Sequence, residues 1–270
     1  MAENKKGVSD ALRYGWCGKI LKVDLSSEVI TEIDTLSYAD RFLGGRGIAT
    51  RLYWENVPTT ARAFDPDNHL IFMTGPTTAT GAQGASRFSI IGKSPMLMPE
   101  GFCYGNMGGY WGASIKRAGF DGLMVSGKAK RPIYLSISDG NTTIEDASGI
   151  HLEGVKQVEA YLRRTHGKKT HFITTGPAGM NLCRNANLMT DNEGSATGGF
   201  GAVLGAKNLK AIAVIGTQFP QVSNPAALKE LNRLTITLNK RDTSFNPYPP
   251  DQISRKGKAS CFQCGLDCVM

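Results

Sequence analysis

The sequence predicts an α+β fold with mixed β-sheets. Short apolar segments with strand character recur between glycines, and segments with helical spacing of apolar residues lie between them at irregular intervals. A doubly wound parallel sheet would show a more regular alternation of strands and helices. The 270 residues, 41% of them hydrophobic and 20% charged, suffice for one or two globular domains and exclude a disordered or fibrous chain.

The first elements are a hairpin and two short helices. Apolar and polar residues alternate over 19–25 and again over 28–33, with the turn-forming pair Ser26 and Ser27 between them. Apolar residues at helical spacing occur before and after the motif GGRG at 44–47, which predicts two short helices around a glycine turn. Six further strands are predicted from apolar runs at 69–73, 87–91, 122–125, 132–137, 171–174 and 209–215, and helices at 113–117 and 155–162.

The character of the chain changes after Gly216. Asn224 followed by Pro225 is a typical helix start, and leucines at helical spacing continue to residue 238. We therefore predict two regions, an N-terminal domain over 1–216 and the start of a helical C-terminal region over 217–270. Met270 follows a cysteine cluster by only two residues, so we expect the sequence to be part of a longer protein.

The charge and hydropathy of the sequence indicate where in the cell the protein is expected and which partners it favours. No run approaches the roughly 18 apolar residues of a membrane span, and the N-terminus lacks the apolar core of a signal peptide, so a cytoplasmic location is expected. The net charge of +8 favours an anionic partner, although a basic surface kept for solubility explains it equally well. Nucleic acid is disfavoured because the aromatic residues are predicted to pack in the core: Phe42, Tyr53, Trp54, Tyr110 and Trp111.

Three of the six cysteines form a C-x2-C-x3-C motif: Cys261, Cys264 and Cys268. Three thiolates on one short loop can bind three corners of a cubane iron–sulfur cluster, with a fourth ligand from elsewhere. Zinc and coincidental thiols are the alternatives, and no second cysteine or histidine pair supports zinc. Cys17 and Cys103 have no neighbouring histidine in the sequence and are interpreted as small buried side chains.

Two glycine-rich segments, 105–112 and 198–205, precede or overlap helical patterns, and their backbone amides could bind an anion. A dinucleotide fold is not predicted, because the spacing differs and no acidic residue occurs from 200 to 229. Arg87 could bind a phosphate or be an exposed residue at a strand end, and Asn106 could be a ligand or a left-handed turn residue.

The motifs in their order resemble those of the aldehyde:ferredoxin oxidoreductase family, the tungsten-pterin enzymes. The similarity extends over residues 15–270, and the ordered set is more specific than any one motif. It is carried by GKILKVDL at 18–25, FLGGRG at 42–47, TGPT at 74–77, SRFS at 86–89, NMGGYWGA at 106–113, GPAG at 176–179, GFGAVLGAKNLKAIAV at 199–214 and the cysteine triplet.

The resemblance implies a base of two mixed sheets that holds a bis-pyranopterin cofactor with tungsten or molybdenum. It implies that Arg87, Asn106, Gly108 and Gly109 contact the pterin and that the three cysteines ligate a [4Fe-4S] cluster. The implied reaction oxidises an aldehyde to a carboxylic acid and passes electrons to ferredoxin or a related carrier. An aromatic thioester (acyl-CoA) reductase of the same family and a non-enzymatic metal-binding fragment are the alternatives.

The resemblance implies that the catalytic side chains belong to a later region of the protein, so none is assigned among residues 1–270. It also implies a possible homodimer. One departure concerns residues 192–197, NEGSAT, where many family members carry arginine. A phosphate contact through an arginine of that loop is therefore not expected here.

Overall fold

Two six-stranded mixed sheets, with helices between and outside them, make up the fold. A computed structural model describes residues 14–191, 194–241 and 260–264. Sheet 1 has the strand order β2-β1-β6-β3-β4-β5 and sheet 2 the order β11-β10-β9-β12-β7-β8. The pairs β1/β6 and β7/β12 are parallel, and all other neighbouring strands are antiparallel. The predicted fold class is confirmed.

The strands of sheet 1 are β1 (Lys19–Asp24), β2 (Val29–Asp34), β3 (Leu70–Met73), β4 (Phe88–Ser94), β5 (Gly101–Met107) and β6 (Gly122–Ser126). Those of sheet 2 are β7 (Ile133–Ser138), β8 (Asn141–Asp146), β9 (His171–Thr174), β10 (Leu188–Thr190), β11 (Ser195–Ala196) and β12 (Leu209–Ile215). The helices are α1 (Leu36–Phe42), α2 (Arg46–Asn56), α3 (Trp111–Arg117), α4 (Val155–His166), α5 (Pro177–Met180), α6 (Phe200–Ala206) and α7 (Pro225–Arg241).

Central strands are apolar on both faces because both faces are covered. In β3, Leu70 and Phe72 point into the core between the sheets, whereas Ile71 and Met73 pack with α1 and α2 on the outer face of sheet 1. Helix α4 covers the outer face of sheet 2. The continuous apolar runs that predicted these strands follow from this layering.

Helices α3 and α6 lie between the sheets and join them into one core. The fully buried Trp111 of α3 lies 4.9 Å from the ring of Phe88 in sheet 1, measured between centroids, and donates its indole N–H to the carbonyl of Ile212 in sheet 2 at 3.2 Å. Every residue of α6 is buried. Residues that precede these helices are therefore held in place from both sheets.

The hairpin, the two helices around 44–47 and the start of α7 are confirmed. Asn224 accepts a hydrogen bond from the Ala227 N–H at 3.0 Å, as expected of a capping residue. The prediction of a buried Trp54 is wrong, since that side chain is 79% exposed. The division at residue 216 stays a prediction. No described helix is long and apolar enough to cross a membrane.

Candidate functional site

Two of the three predicted cluster ligands lie on one tight turn. The Cys264 N–H donates to the Cys261 carbonyl at 3.0 Å, and both thiols are half-buried and free of disulfides. We call residues 260–264 the cysteine turn. Cys268 lies outside the described residues, so its place relative to the other two cysteines stays a prediction.

The cysteine turn is docked on the first glycine-rich segment. The Gly109 N–H donates to the Cys261 sulfur at 3.1 Å, and the Phe262 N–H donates to the Gly109 carbonyl at 3.2 Å. On the other side, the Gly84 N–H donates to the Gln263 carbonyl at 3.0 Å. An N–H donor at a sulfur stabilises the thiolate, which is the form that binds a metal.

Gly108 is required by this close approach. A Cβ atom added to it would lie 2.6 Å from the Cys261 sulfur, a distance that real Cβ contacts do not show. Its backbone lies outside the left-handed region, so contact alone explains the glycine. The cradle at Gly108 and Gly109 therefore fits a thiolate ligand, and their predicted contact with a pterin stays a prediction.

Beside the cysteine turn lies a cavity of about 220 Å³, and the predicted pterin contacts Arg87 and Asn106 are among the residues that line it. Asn106 lies near the end of β5, and Arg87 directly precedes β4, the neighbouring strand. Both side chains are exposed. The remaining walls come from Leu43, Gly44, Gly45, Met73, Gly75, Pro76, Phe88 and Ser89.

The polar groups of this cavity are available to a ligand. Asn106 accepts a hydrogen bond from the Ser89 hydroxyl at 3.1 Å, which orients its amide. Its NH2 group donates to no other residue that the structure describes, so it can donate to a ligand. Among the described residues, Arg87 forms no ion pair or hydrogen bond. An unpaired guanidinium beside glycine backbone fits a phosphate. Asn106 belongs to a strand with ordinary backbone angles, so the alternative of a left-handed turn residue is wrong.

A buried ion pair supports the wall of the cavity at Gly75. The Lys116 ammonium lies 3.1 Å from the Asp121 carboxylate and donates to the Gly75 carbonyl at 2.8 Å, and both charged side chains are fully buried. Asp121 also accepts the N–H groups of Cys17 and Gly18. Burial lowers the pKa of Lys116, while Asp121 acts in the opposite direction. The arrangement fixes the loop after β3.

Sequence reasoning missed three residues of this region: Ser89, Gly45 and Arg46. Ser89 pairs with Asn106 across β4 and β5, and that pairing could not be predicted because β5 itself was interpreted as part of a glycine loop. The Arg46 guanidinium stacks 4.4 Å above the ring of Tyr104, two residues from Asn106 on the same strand face. The arginine in the GGRG motif was the available signal.

The second glycine-rich segment is packed too tightly to be open to an anion. Gly199 has a left-handed backbone, and a Cβ there would lie 2.2 Å from the Arg184 carbonyl. Gly194 belongs to the segment that departs from the family pattern, and it lies close to Gly108. A Cβ atom added to Gly194 would lie 3.3 Å from the Gly108 carbonyl oxygen. This stretch borders the site, and its described residues 194–197 contain no cation.

The described residues contain no cluster of three or more His, Cys, Asp or Glu side chains that could hold a metal ion. Of the three predicted cluster ligands, the described part of the chain contains two, Cys261 and Cys264, on one turn.

Residues 20–216 match the family described as "Aldehyde ferredoxin oxidoreductase, N-terminal domain". The chain belongs to this family. A tungsten-containing aldehyde ferredoxin oxidoreductase of Pyrococcus furiosus is 40% identical over 209 residues, which are 76% of this chain and 34% of the relative. An aliphatic sulfonate oxidoreductase, WOR-like subunit, of the same organism is 34% identical over 82% of this chain and 38% of its own length.

A solved structure of the active-site complex BamBC of benzoyl coenzyme A reductase with 1,5-dienoyl-CoA has the same fold. It superposes with a TM-score of 0.80 at 29% identity, over 88% of this chain and 37% of the matched chain. The chain thus spans about a third of the length of the relatives it matches.

Proposed function

We propose that this chain forms the cofactor-binding base of a tungsten-dependent oxidoreductase that converts an aldehyde and water to a carboxylic acid. This reaction releases two electrons and two protons, and a [4Fe-4S] cluster held by the chain's cysteines would carry the electrons to ferredoxin or a related carrier. The observation that carries the proposal is the docking of the cysteine turn on Gly108 and Gly109, beside the cavity that contains Arg87 and Asn106.

The pterin-bound metal, tungsten or molybdenum, supplies the oxygen-atom and electron chemistry. The chain's own residues bind and orient. Arg87 would hold a phosphate of the cofactor through charge-assisted hydrogen bonds, and Asn106, oriented by Ser89, would donate its amide to the same ligand. Residues 194–197 would contribute backbone and hydroxyl groups only.

Cys261, Cys264 and Cys268 would supply three of four cluster ligands. The Gly109 N–H would donate to the Cys261 thiolate, which stabilises its charge and tunes the potential of the cluster. Because Gly109 is three residues from Asn106, the two cofactors would lie close to each other, as a short electron path requires. No catalytic side chain is assigned to this chain.

The partners follow from the reaction. The net charge of +8 is suited to an acidic electron carrier. A homodimer is proposed on the resemblance to the family.

An aromatic acyl-CoA reductase is the second candidate, favoured by the likeness to the benzoyl coenzyme A reductase structure. The full-length protein separates the two in anaerobic assays with a low-potential viologen dye. Dye reduction with aldehydes supports the first, and oxidation of reduced dye with an aromatic acyl-CoA supports the second. Activity with neither, in protein that contains the metals, would contradict both and leave the metal-binding fragment.

A further inference from the structure

The cysteine turn rests on an aromatic stack that continues into sheet 2. The rings of Phe262 and Tyr110 meet edge to face with 6.0 Å between centroids. Tyr110 in turn stacks on the imidazole of His171, with 5.2 Å between centroids and 11° between planes. Tyr110 directly follows Gly109, so the ring that His171 supports belongs to the segment that bonds Cys261 and Phe262.

The imidazole itself is held from a neighbouring strand. His171 begins β9 and Asp191 follows β10, and the His171 Nδ1 lies 2.6 Å from the Asp191 carboxylate. The Asp191 side chain is 3% exposed. Arg163 of α4 lies 3.6 Å from the same carboxylate and pairs with Glu159 at 2.7 Å. The ring plane of His171 is thus fixed by groups outside the cysteine turn.

We infer that His171 is a positioning residue for the iron–sulfur loop. Oriented by Asp191, its ring holds Tyr110, and Tyr110 holds the Gly109 backbone and the Phe262 ring where they bind the cysteine turn. Removing His171 frees Tyr110 to change rotamer and loosens the Gly109 N–H at the Cys261 sulfur. The inference rests on the proposed function only where it concerns the cluster, since the contacts themselves belong to the protein.

A purely structural His171 would behave differently. Its loss would lower the free energy of unfolding without changing the reactivity of a cysteine that it does not touch. A positioning role predicts a local effect at Cys261, carried through Tyr110. Groups that orient metal ligands from outside the first coordination sphere typically change metal affinity about 10–100-fold when they are removed.

The test compares three variants. His171→Ala removes the ring and its bond to Asp191, whereas His171→Phe keeps a ring for stacking and removes only the bond. His151→Ala is the matched control, because that histidine is hydrogen-bonded to the Ser148 carbonyl and is not a member of the stack. Unfolding by urea verifies that each variant is folded.

Two measurements are made on each protein. In metal-free protein, the rate of iodoacetamide alkylation of Cys261 is followed by peptide mass spectrometry. In iron-loaded protein, the rate of iron loss to a chelator and the midpoint potential of the cluster are recorded. We expect His171→Ala to raise both rates about 10-fold and to shift the potential, and His171→Phe to have a smaller effect in the same direction.

Equal Cys261 alkylation in His171→Ala and His151→Ala would overturn the inference, whether or not iron binds. If His171→Ala fails to fold, the same comparison between His171→Phe and His151→Ala decides. Faster alkylation in a protein that takes up no iron would support the positioning role and contradict the cluster in the proposed function. The two failures are therefore distinguishable.

Discussion

One added methyl group at Gly108 is expected to displace the cysteine turn. The Cβ of Gly108→Ala would lie 2.6 Å from the Cys261 sulfur, whereas non-bonded heavy atoms settle at about 3.5–4.0 Å, so the turn must retreat by about 1 Å. That movement stretches the 3.1 Å bond from the Gly109 N–H beyond hydrogen-bonding distance. A hydrogen bond to a charged group contributes about 1.5–3 kcal/mol, which corresponds to a roughly 10- to 150-fold weaker cluster site.

The assay is chelator-driven iron loss from the reconstituted protein, together with urea unfolding. Gly149→Ala is the control, because a Cβ at Gly149 meets no atom within 4 Å and the backbone there is not left-handed. We expect iron loss to accelerate in Gly108→Ala alone, with the unfolding midpoint of the sheet core unchanged in both. Iron retention by Gly108→Ala equal to that of Gly149→Ala would refute the assigned contact.

Three further predictions concern charge. Arg87→Ala should lower the tungsten content of purified protein about 10-fold through loss of a phosphate contact, whereas Arg131→Ala, at an exposed ion pair, should not; elemental analysis decides. Burial lowers the pKa of His69 from 6.5 to about 4, so between these pH values the unfolded chain binds a proton that the folded chain does not. The free energy of unfolding should therefore fall by about 2 kcal/mol as the pH falls from 6.5 to 4, after allowance for partial exposure. Urea titrations should show a weaker dependence of this free energy on pH in His69→Asn. Burial raises the pKa of Cys17 to about 12, so at pH 8 iodoacetamide should modify the exposed Cys183 and spare Cys17, as peptide mass spectrometry would show.

The regular elements with strong patterns could be predicted from the sequence. The run LKAIAV at 209–214 became β12, and Asn224-Pro225 began α7 as expected. Strand β5 was missed because glycines at 101 and 105 break its pattern, and the strand is stabilised by its pairing with β4 and not by its own propensity. Strands β8, β10 and β11 lie at or near sheet edges and lack strong apolar alternation.

The site was predictable in composition and not in arrangement. Cys261, Arg87 and Asn106 were identified by motif, but the sequence does not show that Gly109 donates to Cys261 across 152 positions. His171 had no recognisable signal either, because its role depends on a stack between segments 61 residues apart in the chain. Such long-range contacts follow from the packing of two sheets around α3, which local patterns do not encode.

The most direct test of the central claim is elemental analysis of the protein purified anaerobically from cells supplied with both tungstate and molybdate. The account predicts tungsten or molybdenum together with about four irons per chain, as a pterin metal and a cubane cluster require. Zinc alone, or no metal, would contradict the claim that this base carries a redox centre.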